Sequence, residues 1–422
     1  MPSPDRVGWR EALRPVRMER VAIVVPVESL DEVLARVADA GAVELSTPPD
    51  ASPRVVAGAA VVREGVAALA GWTPAGVVGD LSARVAPAGG AVVPIARPRG
   101  VEAPSVLRTE GLSGSLSPLV STYGTVPYSD IDPTPLAAGA YVLMFGMMFG
   151  DAGHGLLLLC AAAGLSLGRP RRLARFRRAW PFAAGAGLAS VLFGLLYGEF
   201  FGPTGVVPVL WLAPLSHPLQ LLLAAVSVGA LLLGVAYLLG IVNRWREGGA
   251  PAALYSSAGI AGATVFLGFG LAFAGWYLRL DGLAVAGGLL AAAGLALAFT
   301  GFLAEAGGGL DGTAQAAVHL FDVVVRLGAN VASFARLAAF GLTHAAISSI
   351  VWSAAAALWP AHRAGAAAVF VAGTLLALAI EGLVVAIQAL RLEYYELFSR
   401  LFQAEGRPFR PWRPARTSRE AM

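Results

Sequence analysis

The pattern of apolar and polar positions changes character near residue 130. Before that point, short apolar stretches are mixed with polar residues, whereas most of the remaining chain consists of long apolar runs separated by short polar connections. A run of about 20 apolar residues is long enough to cross a bilayer as a helix. The pattern therefore predicts a mainly α-helical polytopic membrane protein with about eight transmembrane helices. The predicted spans are residues 136–149, 152–168, 180–200, 217–242, 252–278, 282–304, 316–358 and 364–392.

The first 130 residues predict a small α+β domain. Val21 to Val27 is typical of a strand, "SLDEVLARVADAG" has helical spacing, and "AVELS" resembles a second strand, so the three predict a ferredoxin-like βαβ unit. After a Pro-rich break, the sequence predicts a weak helix to about Ala70 and then a second helix-strand unit that begins at "GWTPAGVV". We therefore expect a head over residues 1–130, a transmembrane domain over 131–405 and a tail over 406–422.

The distribution of arginine predicts the orientation in the membrane. Eight spans place both ends of the chain on one side, and the connections at residues 169–178 and at "NRWREGG" are rich in arginine, as is the segment after Arg391. The opposite side carries only Arg279 and Arg363 in its short connections. Because positively charged loops remain in the cytoplasm, we expect a multi-pass membrane protein with cytoplasmic N- and C-termini.

Composition excludes several classes of function. With 57% hydrophobic and 14% charged residues and a mean hydropathy of +0.68, the chain does not have the composition of a water-soluble globular protein. Lysine is absent, which excludes a P-loop, so any ATP is hydrolysed on another chain. Cys160 is the single cysteine, so neither a disulfide framework nor a cysteine metal site is expected. The basic character fits membrane topology better than nucleic-acid binding.

A polar stripe runs along the predicted seventh span. Arg336 lies near the middle of residues 316–358, a segment so long that it must tilt or leave the bilayer, as we also expect of the last span. An arginine at that depth costs at least ~2.5 kcal/mol and is by default a functional candidate. The residues within about 80° of Arg336 on a helical wheel are Asp322, Arg326, Ser333, Thr343 and His344. The alternative is structural pairing, above all between Asp322 and Arg326 at i,i+4.

Two other segments carry candidate chemistry. In the last span, Glu381 and Gln388 are seven residues apart on one face and Arg391 follows, which favours a hydrated proton path over a structural salt bridge. In "MFGDAGHG", Asp151 and His154 suggest a metal, but two ligands do not make a site. We expect these two residues to be structural, in a tight turn that the glycines permit.

The segments "YSDIDPTP", "MFGMMFGDAGHGLLLL", "GLLYGEFFG", "SFARLAAFGLTHAAISSIVW" and "EGLVVAIQALRLEYYELFSRLFQAEGRPFRPW" resemble, in that order, the membrane stator subunit of V/A-type rotary ATPases, called subunit I in prokaryotes and subunit a in eukaryotes. The resemblance implies that Arg336 faces the carboxylates of a rotating proteolipid ring. It also implies that the ion path includes Arg391, Glu381, Gln388, His344, Asp322 (where a glutamate is usual) and Ser333. Arg326 departs from the family pattern.

The resemblance further implies a non-catalytic subunit without cofactor or metal. Its partners would be the proteolipid c ring, peripheral stalk subunits, the central stalk and ATPase subunits indirectly, and the lipid bilayer, with no nucleic acid. The head resembles only the membrane-proximal lobe of family heads, whose two sequence ends match "RMERVAIVVPVESLDEVLARVADAGAVEL" and "GWTPAGVV". No sustained heptads lie in the interval between them, so we expect the coiled coil and the distal lobe of the family to be absent. A stand-alone ion transporter or channel, and a non-transporting scaffold remnant, are the alternatives.

Overall fold

The computed structural model describes residues 15–98, 101–107, 120, 124–168, 177, 179–401 and 406–414. They divide into two compact units. The head unit contains the described residues of 15–107, 124–132 and 406–414, and the helical unit contains residue 120 and the described residues of 133–401. The chain is mainly helical with a small antiparallel sheet, as the sequence predicted.

The head unit is built on a five-stranded antiparallel sheet with two longer helices. The order along its main path is β2-β4-β1-β5, and β3 pairs with β4. Its elements in chain order are β1 (Met18–Pro26), α1 (Leu30–Ala40), β2 (Glu44–Leu45), α2 (Pro53–Gly58), β3 (Val61–Arg63), β4 (Val66–Pro74), α3 (Val78–Val85) and β5 (Ala91–Pro94). The core lies where apolar residues of α1 and α3 pack against the strands, among them the fully buried Val33 and Leu81.

The predicted weak helix to about Ala70 is wrong. In its place, α2 ends at Gly58, and β3 and β4 form a hairpin whose two turn residues, Glu64 and Gly65, have positive φ angles as the twist of a hairpin requires. β4 then pairs with β1 along its whole length, from Val66 to Pro74. Strand pairing of this length overrides the weak local preference of an alanine-rich stretch.

Residues 406–414 complete the head unit. Trp412 is fully buried in its core and donates a hydrogen bond from Nε1 to the carbonyl oxygen of Ala51 at 2.9 Å. Glu44 accepts hydrogen bonds from the side chain of Arg407 and, at 2.8 Å, from the backbone N–H of Arg410. These contacts attach residues 407–412 to the domain that the first part of the chain forms.

The helical unit follows the predicted spans closely. Its helices are α4 (Thr134–Met148), α5 (Ala152–Ser166), α6 (Trp180–Tyr197), α7 (Pro218–Tyr255), α8 (Ile260–Tyr277), α9 (Asp281–Glu305), α10 (Gly309–Ser333) and α11 (Ala335–Leu358), and then the helical stretch Arg363–Leu401. With α10 and α11 taken together, six helices among the described residues are long and apolar enough to cross a membrane. Because α4 and α5 are shorter, the number of eight spans stays a prediction.

One predicted connection is helical. "NRWREGG" lies inside α7, which continues past the predicted end at residue 242 to Tyr255, so the next helix begins at Ile260 rather than near residue 252. The helix is maintained there because Arg244 is buried and its Nη2 donates to Oε1 of Glu247 at 2.6 Å, one turn later. Gly249 then interrupts the helical geometry with a positive φ. The other arginine-rich connection, at 169–178, lies outside the described residues except for Arg177.

The last two long segments are locally irregular. Phe334 separates α10 from α11 by a single turn, and it packs so closely on α7 that a Cβ atom on Gly229 would lie 2.1 Å from its ring. The stretch Arg363–Leu401 contains two π-helical segments, Ala377–Glu381 and Glu393–Phe398, on either side of the α-helix Gly382–Leu392, which we call α13; α12 is Arg363–Leu376. Such π turns occur frequently at functional sites.

Candidate functional site

A buried histidine-glutamate pair joins the last two long segments. Nδ1 of His344, on α11, lies 2.6 Å from Oε2 of Glu381, the last residue of the first π segment. The side chains are 2% and 14% exposed. A charge-assisted hydrogen bond of this length in a low-dielectric environment is strong. The sequence predicted both residues as part of a site, and the structure brings them into direct contact.

The same histidine lies against the turn between α4 and α5. The ring centroid of His344 is 4.3 Å from that of Phe149 and 5.2 Å from that of His154. His154 is also 2% exposed, and its ring stacks edge-on against Phe201 at 5.4 Å. Two buried imidazole groups from distant parts of the sequence therefore share one aromatic pocket.

Hydrogen bonds to the side chain of Asp151 stabilise the turn beside this pocket. The carboxylate is fully buried, caps α5 by accepting the backbone N–H of His154 at 2.9 Å, and accepts the N–H groups of Phe201 and Gly202 at 3.0 and 2.7 Å. It therefore ties the turn to the loop that follows α6, which agrees with the structural role expected from the sequence. Gly153, one of the glycines of this segment, lies very close to Phe201. A Cβ atom at position 153 would be 2.5 Å from the ring of Phe201.

A second polar cluster surrounds a carboxylate that the sequence did not single out. Glu396, in the second π segment, is buried, and Ser333 is close enough to influence its carboxyl group. The guanidinium groups of Arg336 and Arg391 are both close enough to act on its charge. The only sequence signal was its presence in the quoted motif "RLEYYELFSRLF", where a second glutamate follows Arg391 by five residues. The structure thus brings three of the predicted residues together around Glu396.

Arg336 and Gln388 keep unused hydrogen-bonding atoms. Arg336 is half-buried, and its Nη1 is buried without a hydrogen-bond partner among the described residues. The same holds for Oε1 of Gln388, whereas Arg391 is exposed. Buried polar atoms in native proteins almost always have partners, so these two atoms mark Arg336 and Gln388 as candidates for a polar site.

The predicted polar stripe does not form one continuous site. Asp322 and Arg326 make the expected i,i+4 ion pair, with Nε 2.7 Å from Oδ2, and both are well exposed. That pair neutralises the charge by which Arg326 departs from the family pattern. Thr343 is exposed and its hydroxyl returns to the backbone carbonyl of Ala339 at 2.9 Å, which is a local contact. The described contacts connect neither the ion pair nor Thr343 to Arg336.

Comparison with known proteins gives consistent matches. A model of the V-type ATPase 116 kDa subunit family matches residues 69–206. The A-type ATP synthase subunit I of Thermococcus kodakarensis is 27% identical over 372 residues, which cover 83% of this chain and 54% of that protein. Subunit I of Aeropyrum pernix is 28% identical over 376 residues, 74% of this chain and 52% of that protein. The human V-type proton ATPase 116 kDa subunit a 3 is 32% identical over 118 residues, 26% and 14% of the two chains.

The chain spans about half the length of the archaeal relatives that it matches. The family match includes the turn of Asp151 and His154 and the loop of Phe201, which the structure packs against one another beside His344. The motifs quoted above, the apolar helices and these matches agree. Together the family model and the relatives named A-type ATP synthase subunit I support the V/A-type ATPase subunit I and subunit a family.

Proposed function

We propose that this chain is the membrane stator subunit of a rotary ATPase or ATP synthase and forms two ion half-channels against a proteolipid ring. The observation that carries the proposal is the buried Nη1 of Arg336, which has no partner among the described residues. A guanidinium group stays protonated and is suited to bind a carboxylate with two parallel hydrogen bonds. A carboxylate on a neighbouring ring would approach the accessible part of this half-buried side chain.

The arrangement of the two polar clusters supports separate half-channels. His344 follows Arg336 by eight residues on α11, so the His344–Glu381 pair lies about 12 Å along the helix from Arg336 at 1.5 Å per residue. We assign Glu381 and His344 to one half-channel, and Ser333, Glu396 and Gln388 to the region around Arg336. An ion would then pass from one cluster to the other only by way of the ring.

The proposed mechanism depends on the permanent charge of Arg336. A ring carboxylate that approaches Arg336 is stabilised as the anion and releases its proton, because a nearby positive charge favours the charged form. Direct passage of a proton between the half-channels is blocked for the same reason. The transmembrane potential, about 2.3 kcal/mol per charge per 100 mV, is thereby coupled to rotation. We assign Glu396, whose charge Arg336 and Arg391 both influence, and Arg391 to the ion path beside Arg336, and Asp322 to the access route.

Exposed helix surface is available for such a partner. Only 17% of the most apolar segment of Arg363–Leu401 is buried, compared with 39% in α7. We assign this face to the proteolipid ring and to lipid. ATP hydrolysis or synthesis takes place on other subunits, and the head unit faces the cytoplasm and the peripheral stalk of a prokaryotic plasma membrane, with both termini cytoplasmic. The strand order β2-β4-β1-β5, with helices after β1 and β4, supports a ferredoxin-like assignment of the head.

The experiment is a comparison of Arg336→Gln with Arg363→Gln in membrane vesicles that contain the whole complex. Both substitutions remove one positive charge, but Arg363 is exposed at the start of α12. We expect Arg336→Gln to abolish ATP-driven ion uptake while the proteolipid ring and nucleotide-binding subunits still co-purify, and we expect Arg363→Gln to pump normally. Normal pumping by Arg336→Gln would refute the proposal. Ion flux from the purified chain alone would instead support a stand-alone transporter, and failure to co-purify a ring would support a scaffold remnant.

A further inference from the structure

Three buried side chains around the α4–α5 turn have the spacing of metal ligands. Asp151, His154 and His344 each offer one ligand atom, and the three atoms lie within 4.8 Å of one another. From the sequence alone no metal is expected here, because Asp151 and His154 are only two ligands. The fold adds His344, 190 residues further along the chain. We propose that Asp151, His154 and His344 form a binding site for a divalent transition metal of the zinc type.

The orientation of His344 supports this proposal. Its Nδ1 contacts Oε2 of Glu381 at 2.6 Å, while its Nε2 is buried and has no hydrogen-bond partner among the described residues. A histidine that binds a metal through one ring nitrogen almost always donates its other N–H to a carboxylate or carbonyl, which fixes the tautomer and the ring direction. Glu381 occupies the position of that carboxylate. Nε2 is then left as the ligand atom.

The contact between Asp151 and His154 is also better explained by a shared metal than by a direct hydrogen bond. Nδ1 of His154 lies 3.1 Å from Oδ1 of Asp151, but neither ring nitrogen of His154 makes a hydrogen bond of acceptable geometry. Two ligands that each lie ~2.0–2.2 Å from a zinc ion are roughly 3.4 Å apart in a tetrahedral site. A buried nitrogen without a hydrogen-bond partner destabilises the fold. A metal would remove this cost without a change in the fold.

The surroundings resemble those of a prepared metal site. The backbone N–H groups of Phe201 and Gly202 orient the carboxylate of Asp151, as outer-shell donors orient carboxylate ligands. The ring of Phe149 contacts both histidines and limits access of water. Glu199 precedes Phe201 on the same loop and is buried, and its Oε2 has no hydrogen-bond partner among the described residues. A water molecule can complete four-fold coordination.

The ligand set selects among metals. Two imidazole groups and a carboxylate suit Zn²⁺, Co²⁺ or Ni²⁺, whereas Mg²⁺ and Ca²⁺ prefer a shell of oxygen atoms. Binding requires neither a proteolipid ring nor ion flow, so the proposal is independent of the function proposed above. A metal on Nε2 would also hold His344 in the tautomer that donates to Glu381.

The test uses the full chain, purified in detergent with a histidine-free tag, stripped with a chelator and then dialysed against ZnCl₂. Elemental analysis is expected to find one tightly bound zinc per chain. His154→Gln and His344→Gln should each weaken binding at least about 100-fold, because each removes one of three ligands, while His319→Gln, an exposed histidine on α10, should bind as the wild type does. Wild-type protein that retains no zinc, or substitutions at 154 and 344 that leave binding unchanged, would overturn the proposal.

A variant that gains a new absorption band distinguishes the loss of a metal ligand from misfolding. With CoCl₂ as the probe, the wild-type protein should show the visible absorption of four-coordinate cobalt. His154→Cys keeps a ligand at that position but exchanges nitrogen for sulfur, so a new sulfur-to-cobalt charge-transfer band is expected. Unfolded protein would not produce that band, and Cys160, which is exposed, is present in both proteins. A His154→Cys spectrum identical to that of the wild type would refute the assignment of His154 as a ligand.

Discussion

Gly194 allows α6 to approach the start of α5 so closely that a single methyl group should disturb the site. A Cβ atom on Gly194 would lie 2.1 Å from the backbone nitrogen of Ala152 and 2.5 Å from the carbonyl carbon of Asp151. Both are backbone atoms, so no change of side-chain rotamer relieves the collision. Gly194→Ala therefore requires α6 to move away from the turn that holds Asp151.

The size of the effect follows from this geometry. Carbon atoms in ordinary contact are about 3.5–4.0 Å apart, so the backbones must separate by more than 1 Å. Insertion of an extra methyl group into packed structure costs typically ~1–3 kcal/mol, and the upper end applies because the colliding atoms cannot rotate. Alanine regains about 0.5–1 kcal/mol over glycine inside a helix. The net loss is about 2 kcal/mol, which lowers the apparent Tm by roughly 4–8 °C at about 2–4 °C per kcal/mol.

The assay is the fraction of detergent-solubilised chain that stays monodisperse after heating, compared between Gly194→Ala and Gly139→Ala. Gly139 lies on α4, and a Cβ atom there would meet nothing within 4 Å. The two variants have identical composition, yet Gly139→Ala should leave the apparent Tm unchanged or raise it slightly, since only the helix preference applies. Equal apparent Tm values for the two variants would refute the argument from close helix packing.

Substitutions of Glu381, Glu396 and Trp412, each with a control variant, test the two polar clusters and the head. Glu381→Gln and Glu396→Gln should each lower coupled ion uptake about 10-fold to 100-fold, because each replaces a carboxyl group of the proposed ion path, a loss of ~1.5–3 kcal/mol, whereas Glu305→Gln, exposed at the end of α9, should not. Ion uptake into vesicles is measured for the three glutamate variants. Equal uptake by all of them would contradict the assignment of Glu381 and Glu396 to the ion path. Trp412→Ala should destabilise the head by ~3–5 kcal/mol and speed its limited proteolysis in the full chain. Val61→Ala, at a position that is 72% exposed, should leave the proteolysis rate unchanged.

The helical unit was largely predictable because one physical quantity dominates its sequence. A segment that crosses lipid must satisfy its backbone internally and must be apolar over a fixed length, so the predicted boundaries fall within a few residues of most helix ends. The prediction failed at "NRWREGG", where polar residues looked like a connection. There the buried side chain of Arg244 and its ion pair with Glu247 extend the helix. Polarity alone cannot distinguish a loop from a helix whose charges are paired.

The head was less predictable, for a different reason. The strand β4, Val66–Pro74, is held by nine residue pairs with β1, which is a long-range interaction that leaves little trace in local composition. The turn at Glu64 and Gly65 was the available signal, since a glycine between two short apolar stretches is typical of a hairpin. The burial of Trp412 in the same core could not be inferred, because nothing in the sequence relates residue 412 to residue 51.

The candidate site also depends on contacts between distant segments, which the sequence does not reveal. A helical wheel grouped Asp322, Thr343 and His344 with Arg336 by assuming uniform α-helix from residue 316 to 358. The turn at Phe334 interrupts that helix between Asp322 and Arg336, and contacts between segments decide the rest. Arg336 influences the charge of Glu396, sixty residues away in the sequence. His344 contacts Glu381 and the ring of His154. Residue types and the cost of burying them were readable from the sequence, but which of them meet was not.

The irregular positions therefore explain why the polar residues form two clusters instead of one stripe. Phe334 ends α10 immediately before Arg336, and its burial against Gly229 fixes where α11 begins. The first π segment ends at Glu381 and the second contains Glu396, so each cluster takes its carboxylate from a π turn. A π turn inserts a residue into the helix and changes the direction of the side chains that follow. A uniform α-helix through this stretch would direct the two glutamates differently, and replacement of either π turn by regular helix, through deletion of one residue, is expected to separate one carboxylate from its partners and leave the other in place.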